Sequence, residues 1–127
     1  MVFEKTKLIH EDLTYKIIGC AFEVHKELGP GFLESAYEAA MLIELKNQGL
    51  GAISQKRFPL FYKGVRIKDY SCDLAVDEKV ILELKALKRI GDIERAQTLN
   101  YLKVTGLKVG LILNFGEKSL KHERLVL

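Results

Sequence analysis

The chain has 127 residues, 48% of them hydrophobic and 29% charged, with ten Gly and two Pro. These proportions exclude a collagen, a mucin-like stalk or a wholly disordered chain, and suit one domain with its own core and a radius of gyration of about 14 Å. The net charge of +3 is too mild to identify a nucleic-acid binder, although residues 1–63 balance eight basic against eight acidic residues while residues 64–127 carry twelve against nine.

Cys20 and Cys72 are too few for a Cys-only zinc site or an iron–sulfur cluster and read as buried small hydrophobes. The start is charged from Glu4 onward, unlike a secretory leader, and no apolar run reaches transmembrane length. The expectation is a cytoplasmic protein with reduced thiols.

In chain order, residues 1–12 read as a loosely packed arm. Leu13, Ile17, Cys20 or Ala21, Val24 and Leu28 then form one helical stripe, with Asp12 as N-cap. Gly29, Pro30 and Gly31 stop that helix. A second helix is expected over 33–48, burying Leu33, Ala36, Tyr37, Ala40 and Ile43 and ending at Gly49. Strands follow over 53–61, where Pro59 implies an edge or a bulge, and over 65–76, then 79–85 after a turn at Asp77 and Glu78. A third helix spans 93–104 with Asp92 as cap and with Ile93, Ala96 and Leu99 or Asn100 on one surface. It is followed by a buried strand over 108–115 and a short one over 122–127.

Alternation in the third strand sends Val80, Leu82, Leu84 and Ala86 to one side and Ile81, Glu83 and Lys85 to the other. An acid and a base therefore emerge from one face, and pairing through the Asp77–Glu78 turn brings Asp73 beside them, within about two positions of register. Two carboxylates and the carbonyl of Leu84 make an oxygen-donor set suited to Mg2+ or Mn2+. Glu34, from the second helix, would bind directly, through water, or at a second ion. Such a cluster fits phosphodiester hydrolysis, with Lys85 positioning water or phosphate; a lysine acting as proton acceptor would need a strongly depressed pKa. Gln97 and Tyr101, four apart on a helix, can support a phosphate, and Tyr37 can brace Glu34 or stack on a nucleotide. Lys88, Arg89 and Arg95 offer a positive rim. The plainer reading of the same residues is surface ion pairs, helix-terminal acids and core packing. His25 reads as structural, and no Ser has the neighbouring His of a hydrolase triad.

The run Gly31-Phe32-Leu33-Glu34-Ser35-Ala36-Tyr37, then Asp73, then Glu83-Leu84-Lys85, then Gln97-Thr98-Leu99-Asn100-Tyr101, resembles the GxxExxY family within the PD-(D/E)xK nuclease superfamily over about 14–123. The resemblance implies an α/β restriction-endonuclease-like fold with a mixed central sheet flanked by helices. It also implies a divalent-metal DNA nuclease of DNA processing or repair. By resemblance, Glu34 is the helix-borne acid, Asp73 and Glu83 are the metal ligands, Lys85 is the base, and Gln97 and Tyr101 form the supporting motif. Cys72 stands where the superfamily name has proline, and the cluster cysteines of iron–sulfur relatives are absent. Two alternatives stand beside this reading: a noncatalytic nucleic-acid-binding or assembly module, and a structural interaction protein. So small a core also leaves room for a homodimer or protein partner to complete a DNA clamp.

Overall fold

The computed structural model describes residues 8–127; within the expected N-terminal arm, residues 1–7 lie outside the described residues. Helix α1 (Glu11–Leu28) buries Ile17, Cys20, Ala21 and Val24 at spacings of three and four, the expected stripe, with Leu13 and Leu28 packed at its ends. It begins earlier than the apolar pattern suggests. His10 in the left-handed region (φ 55°) is the N-cap, and Asp12 sits in the first turn, where its charge favours the helix dipole. Gly29 (φ 68°) ends the helix, its N–H donating to the His25 carbonyl at 2.8 Å.

Helix α2 (Glu34–Asn47) buries Tyr37, Met41 and Leu45, one line at i, i+4, i+8. Leu33 and Ile43, expected on that face, are 80% and 62% exposed. Apolar and charged residues are mixed all round this helix, so periodicity alone does not pick out its buried face. Ile43 is two residues beyond Met41 and therefore about 200° round the helix from the buried line.

The strands expected over 53–61 and 65–76 are each broken in two. They form β1 (Ala52–Ser54) and β2 (Arg57–Tyr62), then β3 (Val65–Ser71) and β4 (Leu74–Val76). The breaks face each other: Gln55, at φ 52°, donates its N–H to the Asp73 carbonyl at 3.0 Å, and Cys72 N–H donates to the Lys56 carbonyl at 3.2 Å. Beyond this kink β2 and β3 form a separate two-stranded ladder, with a register shift between Leu60 and Phe61. Pro59 sits in that ladder, where a missing N–H is tolerated.

The main sheet continues with β5 (Val80–Lys85), β6 (Val109–Asn114) and β7 (Lys121–Val126) in the order β1-β4-β5-β6-β7. Only β5 and β6 are parallel, joined by helix α3 (Asp92–Thr105) as their crossover. The result is an α/β fold with a mixed sheet and helices on both faces. Val80, Leu82, Leu84, Leu111 and Leu113 pack on one side with α1 and α2, while Ile81, Ala75 and Cys72 pack with Leu102 of α3 on the other. Each aliphatic side chain so buried contributes on the order of 1.5–3 kcal/mol.

Helix α3 lies close to the sheet because Gly110 faces it: a Cβ there would stand 2.7 Å from Thr98 Cγ2. Its buried line is Thr98 and Leu102. Ile93 is 72% exposed because it lies about 140° round the helix from Thr98. The cap is Gly91 rather than Asp92, with the Glu94 carboxylate accepting the Gly91 N–H at 3.0 Å.

Candidate active site at the end of the central strand

Strand β5 is the middle strand of five, and the alternation read from sequence holds: Leu82 and Leu84 enter the α1/α2 core, while Glu83 shares the opposite face with Ile81. Pairing of Leu74 with Leu82 and Val76 with Val80 puts Asp73 next in line, opposite Glu83. Because β4 begins only at Leu74, the Leu84 N–H has no strand partner on that edge, and Asp73 Oδ2 accepts it at 2.8 Å. A residue's N–H and C=O leave an extended strand by the same edge, so the Leu84 carbonyl faces the Asp73 side. The next carbonyl, that of Lys85, turns to β6 and accepts the Phe115 N–H at 2.8 Å.

Glu34, Tyr70, Asp73, Glu83, Lys85, Gln97, Asn100 and Tyr101 line one cavity of about 440 Å³. All six residues predicted from sequence to act in catalysis are therefore brought together. Tyr70 and Asn100 were missed. Asn100 lies three residues from Gln97 and so shares its helix face, a usable signal. In one unbroken strand over 65–76 alternation would send Tyr70 and Asp73 to opposite faces, and only the strand break at Cys72–Asp73 turns both towards the cavity.

Glu83 is 4% exposed, and its Oε1 is buried without a hydrogen-bond partner. Burial, reinforced by the neighbouring Asp73 charge and partly offset by Lys85, pushes its carboxyl up to about 8. Burial, then the Glu83 charge, also raises the Tyr101 phenol, which stays a protonated donor at neutral pH. The Lys85 ammonium is 3.4 Å from Gln97 Oε1, and the Tyr101 and Tyr70 rings meet edge to face at 5.6 Å. Behind them Cys72 is buried and its thiol is pushed up to about 12, which leaves it inert.

The earlier motif has a mechanical explanation. Gly31 adopts φ 111°, which a side chain would oppose, and Glu34 opens α2 at the cavity wall. Tyr37, fully buried and stacked on Phe115 at 4.5 Å, donates its hydroxyl to the Gly29 carbonyl at 2.6 Å and accepts the Phe32 N–H at 3.2 Å. It ties the glycine-rich loop that delivers Glu34 and has no free face for a nucleotide. His25 is structural as expected, its Nε2 2.9 Å from the Glu117 carbonyl.

The anticipated basic rim does not line this cavity. Arg95 is engaged by Glu123 through two bonds of 2.7 Å and by Asp92 at 2.8 Å. Arg89 borders a different, smaller cavity with Glu117 and Glu123, and Lys88 is simply exposed. Another cavity, of about 470 Å³ between α1 and α2, is bordered by Lys16, Glu23 and Glu44 but has no strand end and no buried unpartnered polar atom.

Among the described residues no three His, Cys, Asp or Glu side chains form a group that could hold a metal on their own. A Mg2+ ion does not require three, since it keeps several waters and is commonly held by one or two carboxylates. An orphaned buried carboxylate oxygen beside a second carboxylate and a backbone carbonyl fits such an ion; Glu34 stands at the wall beyond them.

The model of the PD-(D/E)XK nuclease superfamily matches residues 11–125, nearly the whole chain. The chain belongs to the PD-(D/E)XK nuclease superfamily. No curated protein and no solved structure matches it. In this PD-(D/E)XK chain Asp73, Glu83 and Lys85 line one cavity at the end of β5. None of its described helices is long and apolar enough to cross a membrane.

Proposed function

We propose that the protein is a divalent-metal-dependent DNA nuclease of the GxxExxY type, acting in DNA processing or repair. The observation that carries this reading is the convergence of Asp73, Glu83 and Lys85 on one cavity with Glu34, Gln97 and Tyr101. Asp73, Glu83 and the Leu84 carbonyl would hold Mg2+, or Mn2+, with Glu34 acting through water. When bound, the cation supplies positive charge that acidifies water and offsets the charge building on the phosphoryl oxygens.

The side chains of the protein do the rest. Glu83, lifted by its surroundings, ionises in exchange for the cation, which removes the cost of keeping two carboxylates together. The Lys85 ammonium, steadied by Gln97 Oε1, holds the scissile phosphate and the attacking water in line. The Tyr101 hydroxyl donates to a phosphate oxygen. Water's oxygen bonds to phosphorus as one of its protons passes to the surrounding solvent, one P–O ester bond breaks, and the leaving oxygen takes a proton from solvent.

The test is cleavage of labelled single-stranded, duplex and branched DNA and of RNA, with Mg2+, Mn2+ or chelator, by the original chain, Glu83→Ala and Lys85→Ala. Glu83→Ala is expected to lose turnover and metal binding together, and Lys85→Ala to lose turnover while keeping metal. Cleavage by folded Glu83→Ala at the original rate would overturn the assignment. Salt-sensitive DNA binding without turnover on any of these substrates would mark a binding module instead.

A further inference from the structure

The β2–β3 hairpin stands apart from the main sheet, and its base reaches the acidic cavity through Tyr70. Over residues 57–71 it carries Arg57, Lys63, Arg66 and Lys68 against one acid, Asp69, which is itself ion-paired with Arg66. It also leaves Phe61, Tyr62, Val65 and Ile67 57–63% exposed, a concentration of apolar surface that an unpartnered two-stranded ribbon does not need for its own stability.

Register sorts these side chains into two faces. Phe58, Leu60 and Tyr62 alternate onto one face of β2, and their partners Tyr70, Lys68 and Val65 share it. That face begins at the cavity, since Tyr70 lines it and Phe58 packs against the α3 side of the core. It runs outward past Lys68 to Tyr62, where Lys63 and Gly64 make the tight turn at φ 48° and 79°. The Lys68 ammonium lies over the Tyr70 ring and that of Lys63 over the Tyr62 ring, both at 5.5 Å. Cations and flat rings thus alternate along a path that ends at the acids of the candidate active site.

We infer that this hairpin is a single-strand-binding arm: Lys68 and Lys63 contact successive phosphates and Tyr62 stacks on an unpaired base, leading the strand into the cavity past Tyr70. The chemistry favours a single strand over a duplex because an exposed ring stacks only on a base whose face is free, whereas lysines alone would suit either. A polyanion also meets the charge of the ribbon, which another copy of the same basic hairpin would repel. The inference deepens the nuclease reading by naming the form of its substrate, and is tested without catalysis.

The experiment is fluorescence anisotropy of a labelled single-stranded oligonucleotide, and of its duplex, in chelator and over a range of salt. Tyr62→Ala is expected to weaken single-strand binding by about tenfold while leaving the duplex nearly unaffected. The double variant Lys63→Ala/Lys68→Ala is expected to flatten the salt dependence by about 1.4 in log–log slope, two phosphate contacts' worth. All three side chains are exposed, so thermal unfolding should match the original chain. Unchanged affinity and slope in both variants would overturn the inference. So would tighter binding of duplex with equal sensitivity to Tyr62→Ala, or a hairpin whose substitution disrupts self-association but not DNA binding. Hairpin-dependent binding by a chain that never cleaves would sink the nuclease reading alone; metal-dependent cleavage with both variants silent would sink only the arm.

Discussion

Replacing Glu83 by Gln in the metal-free protein isolates the electrostatic cost built into the site. Glu83 is buried beside Asp73, and its carboxyl titrates near 8 instead of near the ordinary 4.5. Between those values the folded chain keeps a proton that the unfolded chain has released. More protons are bound in the native state, so stability must fall as pH rises through this window, and what is lost is complete above about pH 8. From pH 5 to pH 8 one such proton amounts to at most ~4 kcal/mol, at 1.36 kcal/mol per pH unit. Glutamine is neutral throughout and nearly isosteric with the protonated acid. Urea unfolding in chelator should therefore give similar stabilities for the two proteins near pH 5, and a Glu83→Gln variant more stable by several kcal/mol near pH 8. Millimolar Mg2+ should then stabilise the original chain at pH 8 and leave Glu83→Gln unmoved. Parallel stability curves from pH 5 to pH 8 would refute the claim that Glu83 is held protonated by its surroundings.

Two further substitutions probe the frame. Gly116→Ala would put a Cβ 2.4 Å from the Leu87 carbonyl oxygen and 2.6 Å from the Ala86 carbonyl carbon, all backbone, so a loss of about 3 kcal/mol is expected in chemical unfolding; a change under 0.5 kcal/mol would contradict that close approach. Tyr37→Phe keeps the ring on Phe115 but removes the hydroxyl that holds Gly29 and Phe32, which should cost about 1–3 kcal/mol. Amide exchange should quicken selectively over 29–34; exchange unchanged there would contradict the role of Tyr37 as a loop tie.

The half of the site borne on β5 was legible in the sequence because strand alternation is rigid. Once 79–85 reads as a strand, Glu83 and Lys85 must share a face, and a turn at Asp77 and Glu78 nearly fixes Asp73 opposite them. The paired kinks at Gln55–Lys56 and Cys72–Asp73 were not legible, since nothing in residue type forces Gln55 to φ 52°. That kink frees the Leu84 N–H for Asp73, turns Tyr70 into the cavity and detaches the β2–β3 ribbon. Helix faces were legible in proportion to their contrast. Helix α1 has a clean stripe that shows its buried face, whereas α2 mixes apolar and charged residues all round, so tertiary packing chose Met41 over Ile43. Within the expected basic rim, Arg95 is claimed by Glu123, 28 residues away in sequence, a partner that local spacing does not reveal.

Binding of Mn2+ near pH 8, followed by the loss of its free electron-spin signal, tests the central claim most directly. Asp73, Glu83 and the Leu84 carbonyl predict one site on the original chain, retained in Lys85→Ala and lost in both Asp73→Ala and Glu83→Ala. Equal Mn2+ binding by a folded Glu83→Ala protein would contradict the account.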